Sequence, residues 1–170
     1  MKNRILPFSL FEGFSDGDIG IEKELQESVI NFLIKLQANQ FVLFMKIWNF
    51  HWLIVSKTFG PTHQFFGDLY DKFFDRIDEV AERVRQLGGR PLGSLKDMLE
   101  KAELKEYKED EKVPEEKEMY KMILTDYETV IKDIRKFLKD DKTDSGTTNF
   151  LEDMIMKLEK DAWMLRSHLE

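Results

Sequence analysis

Proline occurs only four times in 170 residues, at Pro7, Pro61, Pro91 and Pro114. The stretches between them are long and rich in helix formers, and none shows sustained period-two alternation. Proline breaks a helix interior, so its spacing marks where helices can run and where they must stop. From Leu25, the positions Val29, Phe32, Leu33, Leu36, Leu43, Ile47, Phe50 and Ile54 recur at helical spacing. They give a first helix over about 21–55. Pro61, behind Gly60, suits the first turn of a second helix running to Leu87. Its stripe is Phe66, Leu69, Phe73, Ile77, Val80, Val84 and Leu87, and Gly88 and Gly89 stop it.

Ser94 caps a short helix, SLKDMLEKA, and a charged linker leads to Pro114. A third long helix over about 115–139 carries Met119, Met122, Ile123, Val130, Ile134 and Phe137. A fourth over about 147–169 carries Phe150, Leu151, Met154, Ile155, Leu158, Ala162 and Leu165. The expected fold is all-α: a four-helix bundle over 21–170, with a short helix between the second and third long ones. Residues 1–20 form an N-terminal arm ahead of it.

Composition narrows the function. Lys+Arg number 26 against Asp+Glu 33, a formal charge of −7, so nucleic acid is not a default partner. There is no Cys, hence no disulfide, thiolate site or cysteine nucleophile. No run approaches the ~18 consecutive apolar residues of a membrane span. Pro7, Glu12 and Asp16 interrupt the start before a secretory core forms, so a cytoplasmic protein is expected.

The chemistry-bearing residues fall in two groups. His51, in WNFHW, and His63 flank one corner, 63 − 51 = 12 residues apart, so the fold keeps them close. Asp78 and Glu82 lie at i and i+4 in DRIDEVAERV and share a face. Imidazole nitrogen with carboxylate oxygen suits iron or manganese, and zinc less distinctively. At roughly 100° per residue, the apolar stripe of the second helix centres about 140° away from Asp78 and Glu82. These carboxylates therefore point out of their own bundle. The first helix has a second apolar face, Ile30, Ile34, Phe41, Phe44, Trp48 and Trp52, with His51 beside it. A helix apolar on two sides is buried on two sides, which places a metal site at a subunit contact. The plainer reading also stands: Asp78 and Glu82 on a solvated face paired with Arg76, Arg83 or Arg85, and the histidines as packing residues. His168 is assigned to packing. The turn Asp140, Asp141 and Asp144 is either an ion pore lining or a solvated loop.

WNFHW at 48–52, the Phe59-to-His63 spacing, DxxDEVAERV at 75–84, LGGRPLGSL at 87–95 and DAWMLR at 161–166 together resemble the Dps family, the miniferritins. The resemblance covers roughly 25–169. It implies a ferritin-like subunit assembling as a hollow shell of twelve, with a ferroxidase centre across a two-fold interface. One subunit would supply His51 and His63, and its partner Asp78 and Glu82, to hold iron. The implied activity is oxidation of Fe(II), commonly by hydrogen peroxide, with ferric oxide stored inside, which protects against oxidative damage. The sequence departs from the pattern in three places. The family's carboxylate four residues after the second His is here Gly67, the loop LIVSKTFG lacks the glycine expected after HW, and the arm is not Lys-rich. Gly67 leaves open an alternative, a non-enzymatic or DNA-associating shell whose ferroxidase centre is impaired. The arm's charge argues against DNA binding. An in-bundle di-iron site needs Glu-x-x-His pairs, and no Glu stands three before any His.

Overall fold

The computed structural model describes residues 18–108, 112–140 and 143–170. It consists of α1 Lys23–Leu53, α2 Phe59–Gln86, α3 Leu95–Lys101, α4 Glu116–Lys139 and α5 Ser145–Ser167, with no strand among the described residues. The expected all-α architecture, with the short helix between the second and third long ones, is present. The N-terminal arm lies outside the described residues up to position 17, as does Asp141.

The stripes read from the sequence form one core. Val29, Leu33, Leu43, Ile47 and Phe50 of α1 meet Phe66, Leu69, Phe73, Val80 and Val84 of α2. Met119, Ile123, Val130 and Ile134 of α4 and Leu151, Met154, Leu158 and Leu165 of α5 complete it. Each fully buried side chain of this size contributes about 1.5–3 kcal/mol relative to exposure, before entropy is counted. Phe32, Ile77, Met122, Phe137 and Phe150 flank the core half-buried, with Phe32 stacked on Phe137 at 3.9 Å.

By length and apolarity α1 resembles a membrane span, but 67% of its most apolar window is buried inside the bundle. The same helix carries buried amides that satisfy the connection leading to α4. Gln37 both donates to and accepts from the backbone of Leu92 (3.1 and 2.9 Å), and Asn39 accepts from the N–H groups of Glu103 and Leu104. Gln26 donates to Leu87 O at 2.7 Å. The long crossover is thus held against α1 by hydrogen bonds that a burial pattern alone does not reveal.

Three expectations need correction, while that for Pro61 holds: helix α2 begins at Phe59, so Pro61 is its third residue, inside the first turn, where the N–H is still without a helical acceptor and proline costs nothing. Ile30 and Ile34 are not on an outer face: both are buried within the chain, at 0% and 1% exposure. Helix α5 begins at Ser145, capped by Asp144, which accepts from Thr147 N. Asp144 also pairs with Arg83 at 3.0 Å, so it is a structural cap and not a free pore carboxylate.

The end of α2 explains the two glycines. Gly88 takes φ 78°, the left-handed conformation, and Gly89 N returns to Val84 O at 2.9 Å, closing the helix with a Schellman turn. A Cβ on Gly89 would come within 2.9 Å of Ile30 and Val84 side chains, so α1 can pass this turn only because position 89 is bare.

The bundle interior holds an ion cluster. Asp161 of α5, 1% exposed, accepts from Lys72 at 2.9 Å and from Arg76 at 2.8 Å. Two cations around one carboxylate repel a metal ion, which agrees with the absence of Glu-x-x-His pairs.

Candidate metal centre

His51 sits three residues from the end of α1, and His63 in the second turn of α2, across a corner of five residues. Their imidazoles stack with centroids 3.6 Å apart and planes inclined by 22°. The Nδ1 of His51 lies 2.8 Å from the carbonyl oxygen of His63, and the Nδ1 of His63 lies 2.9 Å from that of His51. A carbonyl can only accept, so each Nδ1 carries the proton and donates. In a neutral ring that leaves the lone pair on Nε2. Both histidines are thereby oriented as nitrogen donors by contacts with the backbone of the other.

Aromatic rings enclose the pair. Phe59 stacks on His63 at 5.0 Å, and Tyr70 stands edge-on against His51 at 5.2 Å. Trp48 lies against both Trp52 (4.7 Å) and Tyr70 (6.1 Å). The corner is anchored by Glu116 at the start of α4, which accepts from Thr58 and from Thr62, the neighbour of His63. The hydroxyls of Thr58 and then Thr62 hold the Glu116 carboxyl below its ordinary range, against a smaller upward push from burial. Sequence reasoning missed Tyr70 and Glu116. Tyr70 was detectable, since seven residues after His63 returns to the same face of the helix.

Asp78 and Glu82 are exposed on the outer side of α2. Among the described residues neither makes an ion pair or hydrogen bond. The arginines of the plainer reading are otherwise engaged: Arg76 with Asp161, Arg83 with Asp144 and Thr147, and Arg85 with Gly89 O. The structure does not bring the four candidate residues together in one chain. His63 and Asp78 are 78 − 63 = 15 residues apart on one straight helix, roughly 22 Å at 1.5 Å per residue. No group of three or more His, Asp or Glu able to hold a metal ion occurs among the described residues. His168 stacks on Tyr120 at 4.6 Å, with Phe65 alongside at 4.7 Å.

Between α1 and the middle of α2 runs an apolar groove of about 670 Å³, lined by Phe41, Phe44, Trp48, Tyr70, Phe74 and Ile77, with Asp78 also in its lining. Phe74 is 72% exposed and Trp52 56% exposed. Large apolar side chains left bare beside a groove mark a contact surface.

A four-helix bundle with a helical crossover, carrying its donors on the outside, is a ferritin-like subunit, and residues 30–170 match the family model of the ferritin-like domain. The DNA protection during starvation protein of Helicobacter pylori (strain J99) is 35% identical over 136 residues, covering 79% of this chain and 93% of that protein. The crystal structure of a Dps protein from Bacillus brevis superposes with a TM-score of 0.80 at 32% identity, covering 88% of this chain and all of that one. That of a Dps protein from Vibrio cholerae O1, described as one of a broad superfamily of ferritin-like diiron-carboxylate proteins, gives 0.82 at 28% identity over 89% and 95% of the two chains. The chain belongs to the Dps family.

Proposed function

We propose that this chain is the subunit of a hollow Dps-type shell, twelve copies in all, that oxidises Fe(II) at sites shared between subunits and stores the ferric product. The observation that carries the reading is the division of donors between the α1–α2 corner and the far part of α2. Two oriented imidazoles stand at one end, and two unpaired carboxylates stand about 22 Å along the same helix. A two-fold interface brings the end of one helix beside the far end of its copy, because in such a contact residue i meets j and j meets i. If His63 meets Asp78 and Glu82 of the second copy, the axis crosses α2 between about 70 and 73. That is where Tyr70, Phe74 and the apolar groove lie. One interface then makes two identical sites, each with His51 and His63 from one copy and Asp78 and Glu82 from the other.

The chemistry follows from the donor set. Two carboxylates neutralise Fe(II) and bind the harder Fe(III) more tightly, so they favour loss of the electron. The imidazoles, fixed by their Nδ1 contacts, supply neutral nitrogen without further charge. With hydrogen peroxide as oxidant, two Fe(II) ions each give one electron, the O–O bond breaks, two protons are taken up and two waters form. Removing both Fe(II) and peroxide protects the cell against oxidative damage. A cytoplasmic location fits this role, and net charge −7 argues against a shell that also binds DNA.

The test combines size by light scattering with Fe(II) titration and peroxide-driven oxidation. A shell binding Fe(II) at its subunit sites and oxidising it with peroxide is expected. A monomer, or a shell that leaves Fe(II) unoxidised, overturns the reading. Bound Fe(II) that is never oxidised would select the storage-only alternative, which Gly67 favours by limiting the donors to four.

A further inference from the structure

We propose that Glu116, at the start of α4, is a positioning residue for the His51 and His63 pair, acting through the hydroxyls of Thr58 and Thr62. The inference rests on the function proposed above. It adds how a helix that supplies no metal donor sets the strength of the metal site.

The first turn of α2 is weak by its own sequence. It contains Gly60, which loses more backbone freedom in a helix than any other residue, and Pro61, which has no N–H to give. Thr58 stands where a threonine commonly closes a helix start by accepting from a backbone N–H, yet it makes no such bond. Its hydroxyl donates instead to Glu116 Oε1, at 2.6 Å. Thr62, four residues further along, donates to the same oxygen. One carboxylate oxygen on α4 therefore clasps both ends of the turn.

The clasp is tied into the bundle. Tyr120, one turn after Glu116 on α4, donates to Thr62 Oγ1 at 3.3 Å. The buried Thr62 hydroxyl thus gives its own proton to Glu116 and accepts that of Tyr120. His168, the residue closing α5, stacks on the Tyr120 ring with the planes 12° apart. His63 is the residue after Thr62. Its Nδ1 donates to His51 O, and its carbonyl accepts from His51 Nδ1. The two imidazoles therefore keep their orientation only while the backbone at 62–63 stays where α4 holds it.

The experiment uses the assembled protein under anaerobic conditions. It compares Fe(II) titrations of wild type, Glu116→Gln, Glu116→Leu and Thr58→Val, each with its size confirmed by light scattering and each well below its melting temperature. Glutamine keeps an oxygen that accepts from both hydroxyls but removes the charge; leucine removes the acceptor. Groups that orient metal-binding histidines are worth about 10–100-fold in affinity. Glu116→Leu is therefore expected to weaken Fe(II) binding about tenfold, with Glu116→Gln close to wild type and Thr58→Val between the two. Should the leucine variant fail to assemble, Thr58→Val, at an exposed position, decides the matter alone. Wild-type Fe(II) affinity in the leucine and valine variants overturns the positioning role while the function stands. A glutamine variant as weak as the leucine one also overturns it, because the metal would then respond to the charge of Glu116 and not to its grip on the turn. If wild type binds no Fe(II), the function falls and the positioning role with it.

Discussion

His51 and His63 hold each other through their backbones: each Nδ1–H donates to the carbonyl of the other residue, at 2.8 and 2.9 Å, with the rings stacked at 3.6 Å. The arrangement joins the last turn of α1 to the second turn of α2. The His51 carbonyl is among the last of α1 and lacks an intrahelical partner, and the His63 carbonyl, inside α2, accepts on its second lone pair, so the orienting contacts cost the fold little. Removing either ring removes one donor and also one of the two contacts that orient the other.

His51→Ala should therefore slow Fe(II) oxidation more than the loss of a single independent ligand. An orienting contact alone is worth about 10–100-fold in metal affinity or activity, so a larger drop is expected here. The assembly should stay intact, because His51 lies outside the core. Oxidation kinetics measured on a shell of confirmed size check this, and unchanged kinetics would remove His51 from the site.

Phe74 tests the two-fold arrangement. It is 72% exposed in the single chain and lies next to the expected axis crossing. Phe74→Glu would set two carboxylates against each other inside a desolvated contact, and like charges there oppose association. Light scattering should show smaller species, and metal binding should fall with them, since each site needs both copies. A full-sized shell from Phe74→Glu would place the interface elsewhere.

Helix number, order and core stripes were legible because one period, 3.6, runs through every long segment and proline and glycine mark the breaks. The outward direction of Asp78 and Glu82 was legible for the same reason. What failed was the second face of α1. Ile30 and Ile34 look like an interface stripe on a helical wheel, but they pack under the crossover, whose path is set by Gln37, Asn39 and bare Gly89. Those are long-range contacts, and local periodicity carries no information about them. The Nδ1 contacts of His51 and His63 escaped for a related reason: side-chain-to-backbone bonds across a corner depend on its exact geometry.

Asp161 is a buried carboxylate serving two cations, Lys72 and Arg76. Removing one partner of a buried ion pair costs about 3–5 kcal/mol, because the remaining charge is stranded. Asp161→Ala should destabilise by that amount in urea unfolding. Asp161→Leu combined with Arg76→Met should recover most of it, since buried ion pairs are often replaceable by apolar residues. A single variant as stable as wild type would show that the cluster is solvated.

DNA retardation is expected to be absent at physiological salt. The chain carries 33 acidic residues against 26 basic, and many copies in one shell multiply the repulsion from phosphate. A gel shift at two salt concentrations checks this. Binding that weakens steeply with salt would reveal a basic surface.

Acid should loosen two ends of the bundle together. Glu116 is held below its ordinary value of 4.5, chiefly by Thr58 and Thr62. Partial burial pushes the Asp144 carboxyl up, but Thr147 and the Arg83 guanidinium outweigh it and hold the group below its ordinary 3.8. A carboxyl lowered in the folded state binds its proton more readily when unfolded. Its contribution is therefore complete above the ordinary value and is lost as pH falls through the lowered one. Asp126 works the other way: burial raises it above its ordinary 3.8 despite Lys46, so its protonation relieves strain and offsets part of the loss. The net expectation is a melting temperature insensitive to Glu116 and Asp144 above pH 5, then falling below about pH 4.5. The paired variant Glu116→Gln with Asp144→Asn keeps hydrogen-bonding groups in place but cannot titrate. Its melting temperature should be lower than wild type at pH 6 and should fall less between pH 5 and pH 3. Equal falls in the two proteins would show that other carboxylates control acid unfolding.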